Sequence, residues 1–131
     1  MIDIDESYQL INTKEQWIVP ANPHYYDIIN CFNNNDTIEW KQSSNINIGD
    51  IIYIYVTAPY SSIMYKCKAI EVNIPYNYTD KNISMTKIMK LKLIKKYKQD
   101  NNTLKKLNDL GIKSIRGPRK ITDEISKKIN I

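Results

Sequence analysis

A chain of 131 residues fits one domain, burying roughly two thirds of the surface its unfolded form exposes, and excludes two independent cores. Hydrophobic residues at 42% and charged residues at 25% are near globular averages, and the skew to 24 Ile against 3 Val and 6 Leu, with 15 Asn, reads as AT-rich codon usage without functional content. Two cysteines and one histidine exclude a disulfide framework and a Cys/His metal set, while the net charge of +5 hides a gradient, from one Lys against seven acids over residues 1–40 to fifteen Lys and Arg against four acids over 81–131.

Residues 1–15 lack clear periodicity and read as an N-terminal extension or a first strand. Their acidic start has neither the basic region nor the apolar run of a signal peptide, and no window approaches the ~18 apolar residues of a membrane span, so a cytoplasmic protein is expected. Gln16 to Val19 reads as a short strand. Asn22-Pro23 reads as a helix start, Asn capping free amides and Pro fitting the first helical position. The helix is predicted to run through Phe32, with Tyr25, Ile28, Ile29 and Phe32 on one core-facing side, and the Asn33-Asn34-Asn35-Asp36 cluster to end it.

Thr37 to Trp40 is predicted as a strand, Ser43 to Asn45 as a loop, and Ile46 to Asp50 as a turn. After Gly49 comes a strand with Ile52, Ile54 and Val56 on one side and Tyr53 and Tyr55 on the other, both sides covered. Pro59 to Ser62 turns the chain into a long strand, Ile63 to Ile74, whose alternation changes phase near Ala69-Ile70 and predicts a bulge. Pro75 to Lys81 reads as a polar loop whose Tyr76 and Tyr78 could stack on a base. Residues 87–97 form a half-buried strand, with Met89, Leu91 and Leu93 inward and Lys90, Lys92 and Lys95 as a lysine ridge. Thr103 caps a short helix that Gly111 ends, Ile115 to Arg119 is a turn, and Thr122-Asp123-Glu124 opens a last helix with acids at its positive end.

Strands with bends and three short helices make an α+β fold built on a small, strongly curved sheet or barrel. Trp17-Ile18 on the first strand, Asn22-Pro23, Trp40 before a polar loop, the Gly49-Asp50 strand with Tyr55, the strand from Ile63 to Val72 and the Arg116-Gly117-Pro118-Arg119 turn resemble, in that order, an EVE domain over roughly residues 16–128. EVE domains belong to the PUA-like superfamily with the YTH, ASCH and SRA groups. The resemblance implies a twisted β-barrel flanked by helices, no catalysis, no cofactor, and a pocket for a base of DNA or RNA, often a modified one. Where many EVE members follow the second Trp with an Arg-Asn pair, this chain reads Trp40-Lys41-Gln42-Ser43-Ser44-Asn45.

By family position, the resemblance implies a base pocket of Trp17, Asn22, Trp40, Gln42 and Tyr55, with Pro59, Tyr60 and Ser61 as a rim. Trp40 and Tyr55 would supply planes, and Asn22 and Gln42 edge donors and acceptors. Lys41, Lys66, Arg116, Arg119 and Lys120 would hold phosphates, which favours affinity without sequence choice. Each pocket residue has a structural reading beside the functional one: Trp17 as core, Tyr55 as either, and Asn22 as a helix cap. His24 has no partner acid or nucleophile in view, and Cys31 and Cys67 read as small core hydrophobes.

Asp27, Asp50 and Glu71 are scattered, with no helical metal pair and no Gly-rich phosphate loop, which argues against an enzyme. Two expectations remain: a non-catalytic nucleic-acid reader acting through a separate effector protein, and a protein-interaction adaptor or defence component using the same concave surface. Residues 1–131 are read as a single domain, with no membrane contact.

Overall fold

The computed structural model describes residues 14–129; the predicted extension over 1–15 therefore lies outside the described residues up to position 13. In chain order the elements are β1 (Gln16–Ala21), α1 (Ile28–Asn34), β2 (Thr37–Lys41), β3 (Ile51–Val56), β4 (Ser62–Thr79), β5 (Ser84–Lys96), α2 (Leu104–Asp109), β6 (Arg119–Ile121) and α3 (Asp123–Ile129). The strands form one six-stranded sheet in the order β2-β5-β4-β3-β1-β6, in which β1 and β3 run parallel and the other neighbours antiparallel. The sheet curls without closing, and β2 and β6 are its edges among the described residues.

The two faces carry separate cores, as the alternation along β3 predicts. Trp17, Val19, Ile52, Ile54, Tyr65, Cys67, Met89 and Leu91 pack with Ile28 and Phe32 of α1 on one face. Ile18, Tyr53, Tyr55 and Ile63 pack on the other with Tyr97, Leu107, Ile112, Ile121 and Ile129, under α2 and α3. Strands β1 and β3 lie in the sheet interior and are buried on both sides, which explains their nearly unbroken apolar runs. Pro20 is tolerated because β6 pairs only with Gln16 to Ile18, leaving no neighbour to claim the missing amide proton.

Gly49 has φ +93°, an ordinary conformation only for glycine, and its amide donates to Ala69 O at 2.7 Å. The turn it makes delivers Asp50 into the protein interior. The predicted bulge on β4 is present: the β4–β5 ladder shifts register between Ala69 and Glu71, and again near Lys66, Ile74 and Tyr78. Thr103 caps α2 through its hydroxyl and Gly111, at φ +92°, follows it, as predicted. Thr122 accepts from Ile125 N at 3.2 Å and opens α3.

Three expectations are corrected. Asn22-Pro23 does not start a helix: Asn22 Oδ1 accepts from His24 N at 2.9 Å and its carbonyl from Tyr25 and Tyr26 N, which closes a turn, and Asp27 is the N-cap of α1 instead. Tyr25, lying before the helix, is consequently 55% exposed rather than core. Pro75 to Thr79 is not a loop but the far half of β4; past Lys68 the strand has no β3 neighbour, so the Pro75 nitrogen faces an unpaired side. The hairpin turns instead at Asp80, whose carboxylate accepts from Asn82 N and Ile83 N at 2.7 Å each. Arg119 to Ile121 forms a three-residue edge strand, too short for its alternation to show in sequence.

Candidate functional site

The open side of the curled sheet forms a cleft of about 570 Å³. One wall is the end of β1 and the turn after it, with Val19, Pro20, Asn22, Tyr25 and Tyr26; the second is β2, with Glu39, Trp40 and Lys41. The β4–β5 hairpin contributes Tyr76, Tyr78 and Met85, and the turn before β6 contributes Arg116 and Pro118. Four parts of the chain distant in sequence thus enclose one space, and three of them put five aromatic side chains around it.

Trp40 is half-buried and meets Tyr26 edge-on, with ring centroids 4.8 Å apart at 83°. Burial, followed by contact with Cys31, pushes the Tyr26 phenol well above its ordinary value, so it stays a neutral donor. Tyr76 and Tyr78 stand 6.5 Å apart at 33° and are 47% and 44% exposed. Tyr78 donates to Asp80 at 2.8 Å, and this bond to a carboxylate raises its phenol above the ordinary value.

Of the sequence-derived pocket residues, Asn22 and Trp40 line the cleft, and of the expected phosphate-holding residues, Lys41 and Arg116 do. The others sit elsewhere. Trp17 is 6% exposed in the first core, its indole N–H donating to Asp50 Oδ2 at 3.0 Å; the same carboxylate accepts from Asn47 N and Glu15 N. Tyr55 is buried in the second core, and that burial raises its phenol. Gln42 is buried and clamps a kink in β4: its Oε1 accepts from Asn73 N at 2.7 Å, and its Nε2 donates to Asn73 Oδ1 and Ser44 O at 3.0 Å each. Asn73 has φ +56°, so the amide pair fixes the bend that carries the hairpin over the cleft.

Pro59, Tyr60 and Ser61 form the β3–β4 turn; Tyr60 packs on the first core and Ser61 O accepts from Leu104 N at 2.9 Å. Arg119 and Lys120 lie exposed on β6, Lys120 Nζ standing 5.3 Å over the Trp17 ring. Lys66 projects from the opposite face of the sheet, over Tyr53. Tyr25, Tyr26 and Glu39 are cleft residues that the sequence reading did not single out. The sequence places Tyr25 and Tyr26 in a helix, and only the turn closed by Asn22 exposes them to the cleft.

Among the described residues no group of three or more His, Cys, Asp or Glu could hold a metal ion, and no helix is long and apolar enough to cross a membrane.

Neither a family model nor a curated protein matches the sequence. Solved structures do match in fold. An ASCH protein from Zymomonas mobilis is 10% identical, with 88% of this chain and 93% of that one covered at a TM-score of 0.60. A hypothetical protein from Leishmania major is 13% identical over 90% of this chain and 96% of that one, with a TM-score of 0.63. Human THYN1, solved in complex with DNA containing 5-methylcytosine, is 10% identical over 89% and 96%, with a TM-score of 0.63. With a six-stranded curled sheet, three short helices and this cover, the chain has the PUA-like fold that ASCH and EVE-type domains share.

Proposed function

We propose that this chain is a nucleic-acid-binding module that receives a base, modified in its physiological target, in the aromatic cleft and performs no chemistry on it. The observation that carries the reading is the wall of Tyr25, Tyr26, Trp40, Tyr76 and Tyr78 around a space of about 570 Å³, with Lys41 and Arg116 beside it. Stacking on such rings is worth about 1–3 kcal/mol per base, enough to offset the few kcal/mol needed to unstack one. Trp40 is the principal stacking plane. Glu39 accepts from an exocyclic amino group, the edge that cytosine and adenine present, and Asn22 supplies an amide. Lys41 and Arg116 hold the flanking phosphates, with Arg119 and Lys120 further along the same edge. Trp17 and Gln42 support the cleft from behind. That a protein of the same fold has been solved with methylated DNA adds to this reading.

The test is fluorescence-polarisation binding to single- and double-stranded DNA and RNA with unmodified and modified cytosine and adenine. A preference for one modified base that survives added salt and falls roughly 5- to 150-fold in Trp40→Ala is expected. Equal binding to every oligonucleotide in both proteins would overturn the cleft assignment, and no binding at all would favour a protein-adaptor role for the same concave surface.

A further inference from the structure

The opposite face of the sheet carries a feature that the cleft does not use. Lys66 pairs directly with Lys95 and Lys68 with Lys92 across the β4–β5 ladder. Both pairs lie on the face away from the first core: Lys66, Lys68 and Lys92 alternate with Cys67, Ala69, Leu91 and Leu93, which pack into that core, and Lys95, beyond the register shift between Lys66 and Cys67, lies over Tyr97 of the second core. Directly opposed side chains have Cβ atoms only about 4.5–5.5 Å apart, and like charges there destabilise a sheet. Two such pairs side by side are a standing cost to the fold.

Among the described residues no carboxylate pairs with these four lysines. The ion pair at this ridge among the described residues is Lys90 to Glu71, at 3.3 Å, and it closes one end. Lys66 and Lys95 lie over the rings of Tyr53 and Tyr97, at 5.8 and 5.1 Å from the centroids, which steadies their stems without supplying a counter-charge. The ridge is therefore a double row of ammonium groups, about 7 Å apart on β4, where Lys66 and Lys68 are two residues apart, and wider on β5, where the register shift before Cys67 sets Lys92 and Lys95 three residues apart. A single small anion would meet one pair, whereas a chain of repeating charges meets both.

We infer that the Lys66–Lys95 and Lys68–Lys92 pairs form a second nucleic-acid contact, a seat for the phosphodiester backbone that reads no base. Nucleic acid is favoured over other polyanions because the same two strands, continued beyond the Gln42–Asn73 kink, carry Tyr76 and Tyr78 into the cleft. One hairpin thus offers a charged stem and an aromatic tip. This inference rests on the nucleic-acid reading of the chain but not on the base preference of the cleft.

The experiment compares the full chain with its Lys66→Gln/Lys68→Gln/Lys92→Gln/Lys95→Gln variant, using an unmodified 20-mer duplex and single strand over a salt series. Counterion release predicts that the log–log salt slope shrinks by about 3.6 for duplex and about 2.8 for single strands, if all four ammoniums meet phosphates. Lys105→Gln/Lys127→Gln, on α2 and α3, serves as the charge-loss control and should move the slope far less. The melting temperature at low salt should be unchanged or raised in the quadruple variant, since repulsion has been removed, which separates lost binding from lost folding. A variant slope equal to wild type, or no larger a change than in the control, overturns the ridge while leaving the cleft reading intact. An intact ridge-dependent slope with no base preference overturns only the cleft. Lysine-dependent binding to vesicles containing phosphatidylserine, with none to oligonucleotides, would reassign the ridge to a membrane surface.

Discussion

Trp17 and Trp40 both sit on strands and both touch the first core, yet the fold gives them different freedoms. Trp17 is held from two sides: its ring is 6% exposed within the β1–β3 layer, and its N–H meets the fully buried Asp50 carboxylate. Trp40 is on an edge strand, with Tyr26 against its ring and, among the described residues, no hydrogen bond to its indole nitrogen. A large ring whose polar group is satisfied inside the protein has no contact left to offer, whereas one half-covered at a sheet edge does. The contrast extends to their surroundings, since Asp50 also orders the Asn47–Asp50 turn, while the surroundings of Trp40 open into the cleft.

The sharpest way to break this contrast is truncation. Trp17→Ala should lower stability by about 3–5 kcal/mol, as large core truncations do, and Trp40→Ala by about 1–2 kcal/mol, read from urea midpoints with unchanged slopes. Equal losses would remove the distinction between a structural and a presented ring.

A smaller effect is expected from Gln42→Ala. It leaves the Asn73 amide without its acceptor at the β4 kink and should cost about 1–3 kcal/mol. Because the kink aims the hairpin, amide hydrogen exchange over residues 74–85 should quicken more than over β1 and β3. Uniform quickening would make Gln42 a general core residue instead of a hairpin clamp.

The smallest effect is alkaline. Burial pushes the Cys67 thiol up to about 12 from an ordinary 9.0, and the Tyr65 phenol to about 12 from 10.0. Above pH 9 the unfolded chain therefore sheds protons that the native core retains, so it binds fewer protons than the native state and stability falls as pH rises, from about 9 through 12. A urea midpoint at pH 10 slightly below that at pH 8 is expected, with Cys67 unreactive toward a thiol reagent at pH 8 in the native protein. Rapid labelling of Cys67 under those conditions would contradict the burial of the first core.

Local signals were strong wherever neighbours in sequence decide the outcome. The β3 strand, the turn at Gly49, the Thr103 cap, the glycine after α2 and the phase change on β4 could all be read directly, because alternation, capping and positive φ are properties of a few consecutive residues. The same holds for Lys90 and Lys92, whose alternation with Met89, Leu91 and Leu93 is written in β5 itself, while Lys95 joins them through the register shift opposite Lys66 and Cys67. The α+β class and the PUA-like architecture followed from the order of those elements and from the resemblance they carry.

What tertiary structure decided was membership of the cleft. Asn22 and Asp27 are both competent caps, and only the turn formed by Asn22 shows that the helix waits for Asp27 and that Tyr25 and Tyr26 face the cleft. Pro75 signals a break, but a strand with no neighbour on its amide side tolerates it, so β4 runs on to Thr79. Trp17, Gln42 and Tyr55 are aromatic and amide side chains of the kind a base pocket uses. Their burial depends on which strands flank them, and the sheet order β2-β5-β4-β3-β1-β6 is set by long-range pairing that no short window of sequence contains.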